Sequence, residues 1–312
     1  EAEEVLQYDD LVFTTGSHPN TLPAKIGGAL DGVFTVRDLN DADTMAPQFK
    51  VGAKVLIIGG GYIGLEAAAV ASKLGLNVTL VEMSERILQR VAAPETSTYF
   101  RELHQANGVD IREGVGLDHL IGDTHVTGAK LTDGTILDFD FAVVGVGISP
   151  ASILADSAGV ILDNGIATDL NGRTSDPHIW AAGDCASCLF NDTRIRIESV
   201  GNAIDQAEVV AKNIMGANLT YAPNPWFWSD QYSCKLQIAG LNVGYTDVYV
   251  RKGDADGVQS HWYYKDSQLI AVDAMNDPRN YMVGKRLIEG GRSPDPAAIT
   301  DPATDMKALL KA

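Results

Sequence analysis

Three glycines, Gly59, Gly61 and Gly64, stand in a G-x-G-x-x-G spacing directly after the apolar run Lys54-Val55-Leu56-Ile57-Ile58. An Ala-rich segment follows, then Asn77-Val78-Thr79-Leu80-Val81 and the carboxylate of Glu82. Residues of these types in this order do not make or break bonds; they hold a dinucleotide. Gly59 permits a tight turn, Gly61 lets backbone N–H groups approach a diphosphate, and Gly64 lets the following helix pack close to the strand. Tyr62 belongs to the loop at the phosphates, and Ile63 opens that helix, whose positive end faces them. Glu82, about twenty residues past the glycines, is placed to accept hydrogen bonds from a ribose diol and to repel a 2′-phosphate. No basic residue follows it before Arg86, so NADH is favoured over NADPH. The competing reading is a glycine turn in an ordinary α/β protein with a solvated Glu82. From these residues alone the fingerprint suits FAD as well as NAD.

Other residue types with chemical potential are less organised. Cys185 and Cys188 form a C-x-x-C pair, which could serve thiol redox chemistry or a metal. A zinc site needs a second ligand pair, and none is evident, so the pair reads as small structural residues and no metal is expected. His18, His104, His119, His125, His178 and His261 are scattered without ligand spacing and are expected at the surface.

These residues need a frame. Tyr8 to Thr15 reads as a buried strand stopped by Gly16, and residues 20–50 as a connector carrying a short helix. A helix from about Ile63 to Leu74 closes at Gly75, and another near Glu95 to Ala106 ends at Asn107-Gly108. Val109 to Arg112 and Phe141 to Gly147 read as further strands, with an antiparallel hairpin turning at Asp133-Gly134. Ile179 to Ala182 is a strand leading into the turn Gly183-Asp184, and a long helix runs from about Ser199 to Met215. Beyond Pro223 and Pro225 come period-two strands at Lys235 to Ala239, Val243 to Val250, Val258 to Tyr264 and Gln268 to Val272. A helix capped by Asp277 with Pro278 in its first turn follows. The fold class is therefore α/β: two doubly wound Rossmann-like nucleotide domains, the first incomplete, plus a C-terminal antiparallel α+β domain. The expected boundaries are 1–39 and 151–222 for the first, 40–150 for the second and 223–312 for the third.

The chain has 312 residues, 45% of them hydrophobic and 21% charged, enough for two or three packed domains. Its net charge of −17 argues against nucleic acid as a partner. No apolar stretch is long enough to cross a membrane, and the N-terminus Glu1-Ala2-Glu3-Glu4 is acidic rather than a basic leader. Three cysteines are too few for a disulfide framework and suit a reducing compartment, so a cytoplasmic protein without a membrane partner is expected.

Leu11-Val12-Phe13-Thr14-Thr15-Gly16-Ser17, the glycine unit, Val143-Val144-Gly145-Val146-Gly147, Thr174 to Asp184 and Pro225-Trp226-Phe227-Trp228-Ser229-Asp230-Gln231 together resemble the ferredoxin reductases of bacterial oxygenase systems, of the putidaredoxin reductase type. The resemblance covers essentially the whole chain. It implies a glutathione-reductase fold with FAD and NADH as cofactors, an FAD domain split in sequence, an inserted NADH domain and a C-terminal domain over the flavin. By its position among the flanking motifs, the glycine unit is then the NADH site. Proteins of this family begin with their own G-x-G-x-x-G unit for FAD, and none precedes Tyr8, so the chain is expected to be a piece that starts inside the FAD domain and binds FAD poorly or not at all by itself.

The resemblance also implies roles. Asp184 bonds the FAD ribityl chain, Thr15 and Gly16 lie near the adenine side of the flavin nucleotide, and the helix opening at Ser199 and Val200 points its amides at the flavin's pyrimidine edge. Gly147 and Ile148 wall the nicotinamide pocket, with close packing as the bland alternative. Glu66 is either the family glutamate facing the reacting rings or a solvated helix carboxylate. Trp226 and Trp228 are expected in the core, although the family places a tryptophan matching Trp228 near the flavin. The implied activity is NADH:ferredoxin oxidoreduction through FAD to a [2Fe–2S] protein serving a cytochrome P450 or ring-hydroxylating oxygenase. An acidic protein feeding an acidic ferredoxin needs local positive potential, and Arg194, Arg196, Arg279, Lys285, Arg286 and Arg292 are the candidate docking cations. The alternatives on this fold are an NADH oxidase, peroxidase or disulfide reductase, and an NADH-sensing flavoprotein of slow turnover.

Overall fold

A computed structural model describes residues 4–190 and 193–311; residues 1–3 and 191–192 of the expected first domain and residue 312 of the expected third lie outside the described residues. Among the described residues the α-helices are α1 (Leu39–Met45), α2 (Tyr62–Lys73), α3 (Pro94–Ala106), α4 (Ile153–Ser157), α5 (Val200–Ile214), α6 (Pro278–Glu289) and α7 (Pro296–Thr300). The chain divides into two compact units, one of Glu1–His18 with Ile148–Phe227 and the other of Pro19–Gly147 with Trp228–Ala312.

The larger unit is built on a parallel sheet ordered Val33–Thr35, Phe141–Val144, Lys54–Ile58, Asn77–Glu82, Asp110–Glu113. An uninterrupted apolar run such as Lys54–Ile58 signals a strand covered on both faces. Val55 and Ile57 pack with Leu65 and Ala68 of α2 and Phe100 of α3. Leu56 and Ile58 point the other way, onto Leu120, Ala129 and Leu131. Those three belong to an antiparallel meander, Leu117–Gly122, Val126–Leu131 and Ile136–Asp138, whose second turn holds Gly134 at φ +88°. Residues 19–39, expected with the first FAD segment, cluster with this unit because Val33–Thr35 forms an edge of its sheet.

The C-terminal part of the same unit, which begins at Trp228, is a sheet ordered Trp226–Gln231, Cys234–Gly240, Gln268–Met275, Gln259–Lys265, Asp247–Lys252, antiparallel through the last four. The strand expected from Val243 begins at Asp247, after a turn in which Gly244 takes φ +78°. Asp277 caps α6 by accepting the Asn280 N–H at 3.1 Å. Tyr281, Val283 and Leu287 of that helix pack against Trp262 and Val272, while Cys234, Leu236 and Met275 join the core beneath α2 and α3. The buried Arg251 guanidinium donates to the carbonyls of Ile299, Asp301, Pro302 and Thr304, which pins the chain after α7.

In the smaller unit, Leu11–Phe13 is the part of the expected Tyr8–Thr15 strand that pairs, parallel to Ile179–Ala181. Ala186–Phe190 lies between Ile166–Ala167 and Thr193–Ile195, and α5 packs through Val210 on Trp180 and Ala182.

Candidate cofactor sites

The glycine loop separates space filled by protein from space left clear. Gly59 takes φ +107°, and a Cβ there would lie 2.4 Å from the Gly145 carbonyl oxygen; a Cβ on Gly64 would lie 2.0 Å from the Gly59 carbonyl oxygen. Both positions exclude any larger residue because backbone packs against backbone. Gly61, the N-cap of α2, is different: a Cβ there meets nothing within 4 Å, so the fold itself does not demand a glycine. A ligand that must touch backbone N–H groups does. Tyr62 and Ile63 form the first turn of α2, which starts one residue before the expected Ile63.

Glu82 ends its strand beside this loop, with Oε2 accepting the Gly60 N–H at 2.7 Å and Oε1 the Ser84 N–H at 2.7 Å. Two backbone donors thus orient the carboxylate and leave lone pairs for further donors. Arg86 is turned to other work: Nη1 donates to Ser97 Oγ at 2.5 Å and Nη2 to the Gln89 carbonyl. Gly147, at φ +97°, accepts the Asn20 N–H at 2.9 Å, and Ile148 next to it is half-buried. The residues present therefore fit a dinucleotide with an unmodified ribose.

In the smaller unit, Thr15 donates from Oγ1 to the Ala151 carbonyl at 2.6 Å, Gly16 takes φ +69°, and Ser17 Oγ donates to Asp184 Oδ2 at 3.0 Å. The end of the first strand and the Gly183-Asp184 turn are thereby brought together. Ser199 caps α5 by accepting the Asn202 N–H at 3.3 Å, and Val200 in its first turn is 58% exposed. A capped helix N-terminus fronted by an open apolar side chain fits a flat, partly anionic ring. Cys185, Cys188 and Cys234 are free and buried. Burial pushes the Cys188 thiol up, away from the thiolate a disulfide reductase needs. Among the described residues no group of three His, Cys, Asp or Glu could hold a metal.

Glu66, on α2, is half-buried, and its Oε1 accepts Ser229 Oγ–H at 2.6 Å. Burial pushes its carboxyl up and the nearby Asp230 charge adds to this, while the Ser229 bond opposes both. Trp228 corrects the core expectation, being 42% exposed, because its strand alternates and turns Ser229 and Gln231 inward instead. Trp226 does pack, its Nε1 lying 2.4 Å from where a Cβ on Gly201 would stand.

Two histidines also depart from expectation. His104 is 0% and His261 1% exposed. His104 Nε2 bonds Gln231 Oε1 at 2.8 Å, and His261 Nδ1 bonds Thr96 Oγ1 at 2.7 Å. Thr96 and Tyr263 both donate to the buried Asp273, whose Oδ1 has no hydrogen-bond partner among the described residues. Neither cluster is foreshadowed by the histidines themselves. The available signal was the Ser229-x-Gln231 alternation, two polar side chains on the inward face of a strand.

Of the candidate docking cations, Arg194 and Arg196 are largely engaged, the first with the Thr168 and Ser187 carbonyls and the second with Glu198 at 2.6 Å. Arg292 donates to the Leu310 carbonyl at 2.7 Å, and Lys285 lies 3.9 Å from Glu289. Arg286 is exposed, and Arg279 meets Asp305 at 2.9 Å with most of its side chain in solvent. On α6, Arg279, exposed Met282 and Arg286 follow helical spacing along one face.

The sequence matches the pyridine nucleotide-disulphide oxidoreductase family over residues 1–207 and a reductase C-terminal domain over residues 226–310. A ferredoxin–NAD(P)+ reductase of Sphingomonas sp. is 44% identical over 97% of this chain and 74% of its own length. Putidaredoxin reductase of Pseudomonas putida is 38% identical over 98% of this chain and 74% of its own. Among solved structures, the covalent putidaredoxin reductase–putidaredoxin complex superposes with a TM-score of 0.93 at 37% identity, covering 98% of this chain and 75% of that one. The ferredoxin reductase of the CYP199A2 system from Rhodopseudomonas palustris gives 0.94 at 36%, over 98% and 76%.

Proposed function

The chain belongs to the pyridine nucleotide-disulphide oxidoreductase family, and from that premise we propose that it passes electrons from NADH through FAD to a [2Fe–2S] ferredoxin that serves a cytochrome P450 or a ring-hydroxylating oxygenase. It is a flavoprotein oxidoreductase that uses FAD and NAD(P)H. The observation that carries the nucleotide half of the reading is the clear approach at Gly61 beside a Glu82 carboxylate already oriented by Gly60 and Ser84.

Bound FAD supplies the change from a two-electron hydride donor to one-electron transfers. The chain's own residues bind and orient. Gly61 admits the diphosphate to the N–H groups of α2, Glu82 takes the ribose hydroxyls, and Gly147 with Ile148 walls the nicotinamide. Asp184, Thr15 and Gly16 hold the flavin nucleotide, and the α5 amides at Ser199 and Val200 favour a negative charge on the ring. Glu66 faces the reacting rings, and Trp228 serves the face presented to the ferredoxin. Arg279, Lys285, Arg286 and Arg292 steer the acidic partner together with Arg194 and Arg196; the Arg279–Met282–Arg286 face of α6 is the most open of these. The burial of Cys185 and Cys188, with the Cys188 thiol pushed up by that burial, speaks against the disulfide-reductase alternative.

The test is anaerobic ferredoxin reduction by the FAD-loaded protein with NADH and with NADPH as donors. Glu82→Arg is expected to shift the NADH-to-NADPH preference by at least about tenfold, since it removes an acceptor for the ribose and a charge that repels phosphate. An unaltered preference refutes the role given to Glu82, and turnover of a disulfide in place of ferredoxin refutes the function.

A further inference from the structure

Ser229, Gln231 and His104 are 0% exposed, so their polar atoms must be satisfied by one another. Their contacts form one line: Tyr232 hydroxyl to His104 Nδ1 at 3.3 Å, His104 Nε2 to Gln231 Oε1 at 2.8 Å, Gln231 Nε2 to Ser229 Oγ at 3.0 Å, and Ser229 Oγ to Glu66 Oε1 at 2.6 Å. The chemistry of each group fixes the direction. An amide oxygen only accepts, so His104 must carry its proton on Nε2. In the neutral ring Nδ1 is then an acceptor and takes the Tyr232 hydroxyl proton. The Gln231 amide donates to Ser229, whose single proton goes to Glu66. Every donor in the line points toward the same carboxylate.

The line is built at some conformational cost. Tyr232 holds φ +55°, in the tight turn before Cys234, and its ring meets the His104 ring edge-on at 5.0 Å. A bulky residue rarely takes that backbone conformation unless its surroundings hold it there. Burial pushes the His104 imidazole down, toward the neutral form the line uses, and outweighs the opposing Gln231 bond.

We infer that Ser229, Gln231 and His104 are positioning residues for Glu66, a hydrogen-bond line of one polarity that runs from α3 through the Trp226–Gln231 strand, donates to the Glu66 carboxylate and aims it. The titratable groups around Glu66 are Asp230 on that strand, Tyr62 one turn earlier on α2, and His104 at the far end of the line. Asp230 and burial favour the protonated form, so the Ser229 proton is the counterweight. The consequence for hydride transfer rests on the assignment of Glu66 to the reacting rings; the hold on the carboxylate does not.

Carboxyl-region infrared difference spectra of the full chain, wild type against Glu66→Gln, read the Glu66 titration midpoint directly. Ser229→Ala is expected to raise that midpoint by about one to two pH units, the worth of one charge-assisted hydrogen bond. Gln231→Leu is expected to raise it by less, and Ser229→Thr, which keeps the hydroxyl, to leave it in place. A midpoint that ignores Ser229→Ala overturns the inference. Should that variant fail to fold, nitrogen-15 NMR of the wild type decides: His104 protonated on Nε2 supports the line, and protonation on Nδ1 alone overturns it. The pH profile of NADH oxidation separates the two readings. A profile that follows the shifted midpoint supports both, whereas a moved midpoint with an unmoved profile removes Glu66 from the rings and leaves the positioning intact.

Discussion

Gly61 and Gly64 sit three residues apart in one loop, yet alanine at each should fail differently. At Gly61 the backbone is at φ −79° and ψ −179°, which any residue adopts, and the new methyl would meet nothing within 4 Å. Alanine is a poorer N-cap than glycine but removes flexibility from the unfolded chain; each effect is below about 1 kcal/mol and they oppose, so stability should stay within about 0.5 kcal/mol of wild type. At Gly64 the methyl would sit 2.0 Å from the Gly59 carbonyl oxygen, which belongs to backbone and cannot swing away. Overpacking of that kind costs up to about 3 kcal/mol, of which better helix propensity returns about 1, leaving a net loss of about 2 kcal/mol. For NADH the order reverses in interest. A methyl on Gly61 keeps the diphosphate off the α2 amides, and losing one charge-assisted hydrogen bond weakens binding by about ten- to a hundredfold. Titration calorimetry with NADH and scanning calorimetry on the same samples read both quantities. Gly61→Ala should melt like wild type and bind poorly. Wild-type affinity in that variant would refute the claim that this loop wraps a diphosphate.

Two further outcomes are expected. Arg279→Glu with Arg286→Glu should slow ferredoxin reduction by about tenfold at low salt, with the gap closing as ionic strength rises and with dye reduction by NADH unchanged; an equal rate at low salt removes α6 from the docking face. Burial pushes the Asp273 carboxyl from 3.8 up to about 6, so its stabilising contribution is complete below about 3.8 and lost as pH rises through about 6, whereas burial pushes the His261 imidazole from 6.5 down to about 4, a contribution complete above about 6.5 and lost as pH falls. The two slopes oppose across the same window, so chemical denaturation of Asp273→Asn should show stability falling toward low pH by on the order of 2 to 3 kcal/mol, and His261→Gln the reverse trend; parallel trends in the two variants would contradict the opposed titrations.

What could be read from the sequence is what is written locally. The glycine loop, the cap at Asp277, the Asp133-Gly134 turn and the two-sided burial of Lys54–Ile58 each follow from a few neighbouring residues, and they suffice for the architecture. The same holds for Glu82, whose place at a strand end is fixed by the repeat that precedes it. Local pattern does not reach residues whose surroundings lie far along the chain. His104 and His261 look like surface histidines because nothing within several residues of either offers a partner; their partners are Gln231 and Thr96, 127 and 165 positions away. The bulk and proline neighbours of Trp228 suggest the core, whereas its exposure is decided by strand parity: if Ser229 and Gln231 face inward, Trp228 faces out.

That parity has a physical consequence for the placement of chemistry. A strand that buried Trp228 would gain hydrophobic area but expose Ser229, leaving Glu66 half-buried without its donor and His104 without Gln231. Unsatisfied buried polar groups cost about 1 to 3 kcal/mol each, comparable with the gain from burying an aromatic side chain, so with two such groups stranded the observed register wins. The polar line is therefore a determinant of register as well as of Glu66: it turns Trp228 outward, and it does so with residues that no local pattern would mark as functional.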